Sequence, residues 1–500
     1  MKLERSSGVL LHPSSLPGPH GIGDLGPEAV RWLDFVAASG SRVWQVLPLG
    51  PTGFGDSPYQ SFSSFAGSPA LVSPERLVED GLLTASDLSG TGRGRPLPAS
   101  HVDYARAQSR KRALLDRAFE RFEAGAHGAG DLGQAFETFW TRNASWLDDF
   151  ALFMALKDAH DGAPWTDWPP PLRARNATAL AEANRVHERL RVRHAFAQFL
   201  FFRQWNALRE RAHERGIRIL GDVPIFVAHD SVDVWANPEL FELDTAGRPT
   251  AVAGVPPDYY SKTGQLWGNP LYRWDVLAAR GFDWWIERVR AATALYDLVR
   301  LDHFRGFVAY WEVPANASTA ETGRWVRGPG ESLFTALRAR LGSLPLIAED
   351  LGDITPDVLE LRDRLGLPGM EVLQFAFSGP ENTFLPHRHT RDSVVYTSTH
   401  DNDTAEGWFR TAPRADREFL RRYRGPGSGS VAWDLIRMAW ASVAALAIAP
   451  AQDLLGLGSA ARMNFPGRTR GNWTWRLPPG APGARVRGRL RELNATYQRG

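Results

Sequence analysis

Four acidic residues each close a short apolar run in this sequence. Asp222 follows Ile217-Arg-Ile-Leu-Gly221, Asp302 follows Leu298-Val-Arg-Leu301, Glu349 follows Leu344-Pro-Leu-Ile-Ala348, and Asp401 follows Val394-Val-Tyr-Thr-Ser-Thr-His400. Two carboxyl groups held close together suit the exchange of a glycosidic bond with retention. One is ionised and attacks the anomeric carbon; the other protonates the leaving oxygen and then serves as base. The pair works only where its surroundings push the two pKa values apart. Arg300 stands two residues before Asp302. On a strand that spacing turns both side chains to one face, so a guanidinium meets an ionised Asp302. Glu349 follows Leu346, Ile347 and Ala348 with no cation adjacent in sequence, and desolvation there raises a carboxyl toward the working range of an acid. His400 and Asp401 are placed to bond sugar hydroxyls and to support positive charge developing on the ring. Any one of these acids alone reads as a cap, a loop anchor or a plain ion pair; four closing four runs of one sheet do not.

Positioning them requires a scaffold of strand ends. Apolar runs of strand length recur at Gly8–His12, Arg42–Leu49, Ile217–Asp222, Leu298–Asp302, Leu344–Glu349, Val372–Phe377, Val394–Asp401 and, as an eighth, Gln452–Leu457. Continuous apolar runs fit strands buried on both faces. Helical patterns lie between them at Pro27–Ala38, Thr335–Leu341 and Pro356–Leu365. The alternation predicts a parallel sheet, and eight units favour an α/β fold closed as a (β/α)8 TIM barrel, whose chemistry sits at the C-terminal strand ends. No Gly-x-Gly-x-x-Gly follows the first strand, against a dinucleotide fold. The spacing predicts one barrel over residues 1–500. A mostly helical insertion spans about 70–212, and a loop-rich one, about 229–285, covers the site.

Composition narrows the partners. The chain has 500 residues, 43% hydrophobic and 23% charged, with a net charge of +2. That balance gives no field to attract nucleic acid or an acidic membrane. Cysteine is absent, which removes disulfides, thiolate nucleophiles and Cys-based zinc sites. No apolar signal core follows Met1, and the longest apolar stretch, Met438–Pro450, is short for a bilayer and reads as a buried helix. A cytoplasmic protein is expected, so matches such as Asn143–Ser145 carry no glycan. Asp401-Asn402-Asp403 fails as a calcium loop, since Glu406 and Ala412 occupy its sixth and twelfth positions. No His-x-x-x-His pair marks a zinc helix, and Gly427–Ser430 reads as a linker, not a hydrolase elbow. Neither metal nor cofactor is expected. The 19 Trp, 26 Phe and 10 Tyr serve core packing or sugar stacking, which composition alone does not separate.

Ten segments, in order, resemble one family, the 4-α-glucanotransferases called amylomaltases, of the α-amylase superfamily. They are Leu11-His-Pro-Ser-Ser-Leu16, Trp44-Gln-Val-Leu-Pro-Leu-Gly-Pro-Thr-Gly53, Gly55-Asp-Ser-Pro-Tyr-Gln-Ser-Phe-Ser63, Gly221-Asp-Val-Pro-Ile-Phe-Val227, Gly254-Val-Pro-Pro-Asp-Tyr259, Gln265-Leu-Trp-Gly-Asn-Pro270, Arg300-Leu-Asp-His-Phe-Arg-Gly306, Ala348-Glu-Asp-Leu-Gly352, Thr399-His-Asp-Asn-Asp-Thr404 and Arg462-Met-Asn464. The resemblance spans essentially the whole chain. It implies a nucleophile at Asp302, an acid/base at Glu349 and a transition-state stabiliser at Asp401, with Arg300 and His400 as helpers. Asp222 then holds the donor sugar and Tyr59 stacks on it, with Asp56 and Ser57 on the same loop. Tyr259 and Tyr260 lie over the site beside Gln265 and Trp267, His303 lines it or orders its loop, and Asn464 and Asn472 make acceptor-side contacts. Where relatives often carry a Tyr that helps form a remote sugar site, this chain has Phe54. The implied substrates are α-1,4-glucans and maltooligosaccharides, handled by a monomer or weak homo-oligomer. An α-amylase-like hydrolase uses the same acids, and a non-catalytic glycan-binding barrel is the other alternative.

Overall fold

The computed structural model describes residues 3–90, 96–125, 131–257, 261–427 and 429–500. Its strands are β1 (Ser6–Leu10), β2 (Val43–Gln45), β3 (Arg218–Val223), β4 (Ala251–Val255), β5 (Gln265–Pro270), β6 (Leu298–Leu301), β7 (Ala309–Pro314), β8 (Arg324–Arg327), β9 (Leu346–Ala348), β10 (Gly369–Val372), β11 (Ser393–Tyr396) and β12 (Leu446–Pro450). Eight of them form one parallel sheet in the order β10-β11-β12-β1-β2-β3-β6-β9. Its two edges meet where Ala348 N donates to Pro368 O at 2.9 Å, so the sheet curls into the (β/α)8 barrel.

The expected helices form for identifiable reasons. Pro27–Ala38 starts with a proline at its first turn, where the missing N–H is no loss. Its buried residues Ala29, Trp32, Leu33 and Val36 follow the three- and four-residue spacing of one helical face. Inside the barrel, packing is close enough to dictate residue size. A Cβ at Gly221 would come within 2.2 Å of the Tyr296 ring, which therefore lies flat on β3 just before Asp222. Trp44, fully buried on β2, donates its indole N–H to Leu11 O at 2.7 Å.

Four readings of the sequence are corrected. The eighth strand is β12, Leu446–Pro450, and Ala451–Leu454 within the expected strand is a helical turn. The apolar stretch Met438–Pro450 is accordingly not one helix. Helix Val431–Ala441 ends at Ser442, whose hydroxyl donates to Ala439 O at 2.9 Å, and the chain re-enters the barrel as β12. Alanine-rich apolar sequence carries no period that separates the two states. The sixth strand sits earlier than expected, at Gly369–Val372, and Leu373–Ser378 is a 3₁₀ segment. Asp401 lies in the loop beyond β11, which stops at Tyr396.

Between β2 and β3 run long helices, Tyr104–Glu123, Asp131–Ala159 and Glu188–Glu214 among them. The segments after β3 and after β6 together build a second, antiparallel sheet, β5-β4-β7-β8. The half contributed from beyond Asp302, β7 and β8, went unanticipated in the sequence.

The chain's end closes the opposite side of the barrel. Arg499 is completely buried, and among the described residues no carboxylate pairs with it. Its guanidinium donates to Trp440 O at 2.7 Å, Ser6 O at 3.0 Å, Ala445 O at 3.1 Å, Ser442 O at 3.0 Å and Ala444 O at 2.8 Å. It thus satisfies carbonyls at the end of helix Val431–Ala441 and the starts of β1 and β12. Burial, and Arg5 nearby, pull its pKa down to about 9. Arg499→Met, which fills the space but orphans these carbonyls, is expected to destabilise the fold by about 3 kcal/mol. Urea midpoints measure this, with turnover per folded molecule unchanged.

Candidate active site

The barrel register brings the first three charges together. Asp222 on β3 is the lateral neighbour of Arg300 on β6. Arg300 Nη1 donates to Asp222 Oδ1 at 2.9 Å and Oδ2 at 2.7 Å, and lies 2.8 Å from Asp302 Oδ1. Arg300 and Asp222 are sealed, whereas the Asp302 side chain keeps 26% of its surface open to the cleft. Burial lowers the Arg300 pKa, but Asp222 and Asp302 more than restore it and hold it above the ordinary guanidinium value, so this cation keeps its charge. The i, i+2 relation read from the sequence thus produces the expected ion pair, and β3 adds a second acid to it. Tyr59 OH completes the set by donating to Asp222 Oδ2 at 2.8 Å.

Glu349 sits one residue past β9, beside the loop that follows β6. Its backbone N–H donates to Leu301 O at 3.0 Å, and its carbonyl accepts from Phe304 N at 3.0 Å. Its carboxyl oxygens accept from His303 N at 2.7 Å and Leu351 N at 3.1 Å. Each oxygen retains a further lone pair, so a proton has a place on either. Burial pushes Glu349 up to about 8; Arg300 pulls the other way, and the charge of Asp302 adds to the rise. Two adjacent carboxyls therefore sit in opposite environments, one paired with a cation and open, the other desolvated. His303 holds a left-handed backbone, φ 53°, to present its N–H to Glu349.

Asp401 approaches from the far wall. Asn464 Nδ2 donates to its Oδ1 at 2.6 Å, His400 Nε2 is 3.3 Å from Oδ2, and Arg462 Nη2 donates to its main-chain oxygen at 2.6 Å. Burial raises Asp401, but His400 and Asn464 outweigh it and hold the carboxyl below the usual carboxylate range. Reciprocally, burial lowers His400 and the Asp401 charge more than restores it, so its pKa is raised. The His400 ring stacks on Tyr59 with centroids 5.2 Å apart, and Trp473 closes on both, 5.8 Å from Tyr59 and 5.9 Å from His400. The chain from Arg300 through Asp222, Tyr59 and His400 to Asp401 is continuous.

The remaining expected residues divide. Trp267 meets His303 edge-on at 4.9 Å and its indole N–H donates to Gln265 Oε1 at 3.3 Å, so Trp267, backed by Gln265, flanks the loop of Asp302 and His303. Asp56 and Ser57 touch none of the acids. Asp56 accepts from Gln108 Nε2 at 3.2 Å and Ser57 Oγ from Tyr59 N at 3.2 Å, which shapes the turn carrying Tyr59. Asn472 spends its side chain on its own loop, accepting from Phe465 N at 3.0 Å and donating to Arg468 O at 2.9 Å; it supports the loop of Asn464. Tyr259 and Tyr260 lie outside the described residues. Phe54 is 74% exposed. Sequence reasoning missed Trp473, and it quoted Arg462 and Asn402 only within motifs. Asn402 Oδ1 ties Thr399 at 2.9 Å to its N–H and 2.8 Å to its hydroxyl, fixing the turn before His400. Among the described residues, no three His, Asp or Glu side chains converge as metal ligands would, and no helix is long and apolar enough to cross a membrane.

A model of the 4-alpha-glucanotransferase family matches residues 11–481 of this chain. The chain belongs to the 4-α-glucanotransferase family. It is 53% identical over 508 residues to the 4-alpha-glucanotransferase of Thermus thermophilus, covering 100% of each chain. The Streptococcus pneumoniae enzyme of that name is 48% identical over 501 residues, 99% of this chain and 98% of the other. In structure, this 4-α-glucanotransferase-family chain resembles the amylomaltase of Streptococcus agalactiae determined with acarbose, with a TM-score of 0.95, 37% identity, and coverage of 99% and 100%. That likeness agrees with the barrel described above.

The burial of Glu349 has a consequence independent of any catalytic role. Its pKa is about 8 in the folded chain against an ordinary 4.5 when exposed. Folding therefore favours the protonated form, and that contribution is complete below about pH 4.5 and lost as pH rises through about 8. Glu349→Gln, which keeps the neutral shape, is expected to gain stability over the natural chain across that window. Urea unfolding at pH 5, 7 and 9 checks this; parallel curves for the two proteins would contradict it.

Proposed function

We propose that this protein is a retaining 4-α-glucanotransferase that moves segments of α-1,4-glucan between maltooligosaccharide or starch chains, with Asp302 as nucleophile and Glu349 as acid and base. The donor bond lies between the two carboxyls. Asp302 attacks the anomeric carbon as the bond to the leaving oxygen breaks, and Glu349 gives that oxygen its proton. The product of this step is a β-linked glucosyl ester on Asp302 and a free chain end. The 4-hydroxyl of a second glucan then loses its proton to Glu349 and attacks the same carbon, releasing Asp302 and restoring an α-1,4 bond. Donor and product bonds are alike, so the exchange is nearly isoenergetic and takes no cofactor. In this reading Asp401, held ionised by His400 and Asn464, supports the positive charge that develops on the ring, and Asp222 and Tyr59 orient the donor sugar.

The observation that carries the reading is the split environment of two adjacent strand-end carboxyls, Asp302 against Arg300 and Glu349 buried. Their places beyond laterally paired strands, β6 and β9, suit the short separation of about 5 Å that retention requires. The alternative, an α-amylase-like hydrolase, differs in whether water reaches the ester. Transfer is supported by the segment of about 229–285, whose Trp267, bonded to Gln265, stands against the nucleophile loop; as a cover the segment excludes water. The helical segment of about 70–212 completes the proposed organisation, and the cytoplasm is the proposed setting.

Incubation with maltotriose is expected to yield a ladder of longer oligosaccharides together with glucose. Maltose and glucose without a ladder would contradict transfer. Asp302→Asn is expected to abolish the ladder while leaving the circular dichroism spectrum unchanged. Because only protonated Glu349 donates, kcat/KM is expected to hold at neutral pH and to fall as pH rises through about 8.

A further inference from the structure

We infer that Arg305 is a positioning residue that clamps the loop of Asp302 to the loop of Glu349, with Trp325 holding the clamp shut. The inference rests on the reading of Glu349 as acid. Arg305 lies in the 3₁₀ turn Phe304–Phe307, directly after the nucleophile loop, and is 6% exposed. Its Nε donates to Asp353 O at 2.8 Å and Nη2 to Thr355 Oγ1 at 3.4 Å. Both acceptors belong to the loop that runs from Glu349 to helix Pro356–Arg364. At their inner ends the same two loops are joined through His303 N and Phe304 N to Glu349. The loops are thus tied at two points, and Arg305 is the outer one.

The clamp has a lid. Trp325, from β8 at the edge of the antiparallel sheet, lies over the guanidinium, 3.8 Å from ring centroid to Arg305 Cζ. Trp311 on β7 backs it edge-on at 5.1 Å and is itself fixed by donation to Ala320 O at 2.8 Å. The sheet is pressed onto the nucleophile loop just past Trp325. A Cβ at Gly328 would come within 2.5 Å of Phe307 O and 2.6 Å of Gly306 O, so no side chain fits between the two backbones. Such an arrangement transmits the seat of β7 and β8 to the gap between Asp302 and Glu349. A planar guanidinium is needed: its Nε and Nη2 reach two loop acceptors while its flat face takes the indole, a combination that the point charge of an ammonium does not reproduce.

A donor whose leaving group needs no proton separates this role from general packing. Arg305→Gln, Arg305→Lys and Trp325→Ala are compared on maltotriose and on α-maltosyl fluoride, with fluoride release followed in the first turnover and thermal midpoints recorded. Loss of Glu349 placement is expected to lower kcat on maltotriose in Arg305→Gln by a factor on the order of 10², the scale reached by misplacements near 1 Å. KM and first-turnover fluoride release should change little. Arg305→Lys should not rescue, and Trp325→Ala should shift the same ratio less. An equal loss on both donors, or unchanged maltotriose turnover, would overturn the clamp. Glu349→Gln run alongside keeps two failures apart. If that variant does not separate the donors, the acid assignment is wrong; if it separates them and Arg305→Gln does not, the clamp is.

Discussion

A single buried cation organises this site. Arg300 occupies the barrel interior between Asp222 and Asp302, and one of its nitrogens serves oxygens of both. Burial raises the pKa of Asp222 and Arg300 works against that rise; removing one partner of such a buried pair leaves an uncompensated charge at about 3–5 kcal/mol. The register of β3 against β6 sets the geometry. Everything beyond follows by contact: Asp222 takes the Tyr59 hydroxyl, the Tyr59 ring stacks on His400, and His400 meets Asp401. Asp222 and Asp302 hold the Arg300 guanidinium above its ordinary pKa, so the donor at the centre keeps its charge.

The difference between the carboxyls is produced by depth. Asp302 and Asp401 keep part of their side chains open to the cleft, while Arg300 and His400 beside them are closed off. Glu349, one strand over, is buried and accepts from two backbone N–H groups, with no salt-bridge partner among the described residues. Its elevated proton affinity is therefore a property of burial, with the Asp302 charge adding to it. The strands hold the backbones of these residues, and the antiparallel sheet after β6 is packed onto the loop that joins them.

The sequence disclosed those parts of the site that depend on short spacing. Arg300 and Asp302 share a strand face two residues apart, and Glu349 follows three apolar residues; both facts are local and both persist in the fold. The barrel was readable for the same reason, from apolar runs of strand length. What failed was placement where composition has no period: the Ala-rich stretch to Pro450 divides into helix and strand, and Gln452 begins no strand. Trp473 was illegible because its role is to close on Tyr59 and His400 from a distant segment, in a left-handed backbone, φ 63°, that no local pattern announces. Asn472, brought in by resemblance, turns its amide onto its own loop, a contact that depends on how residues 465–472 fold back and not on any local spacing.

The central claim is that Asp302 and Glu349 do different chemistry because of where they lie. The most direct test uses Glu349→Gln with α-maltosyl fluoride, whose leaving group needs no proton, so that the first step proceeds while the second lacks its base. Acid quench, proteolysis and mass spectrometry should find a maltosyl ester on the peptide carrying Asp302. An unmodified Asp302 peptide, or the sugar on any other carboxyl, would contradict the account.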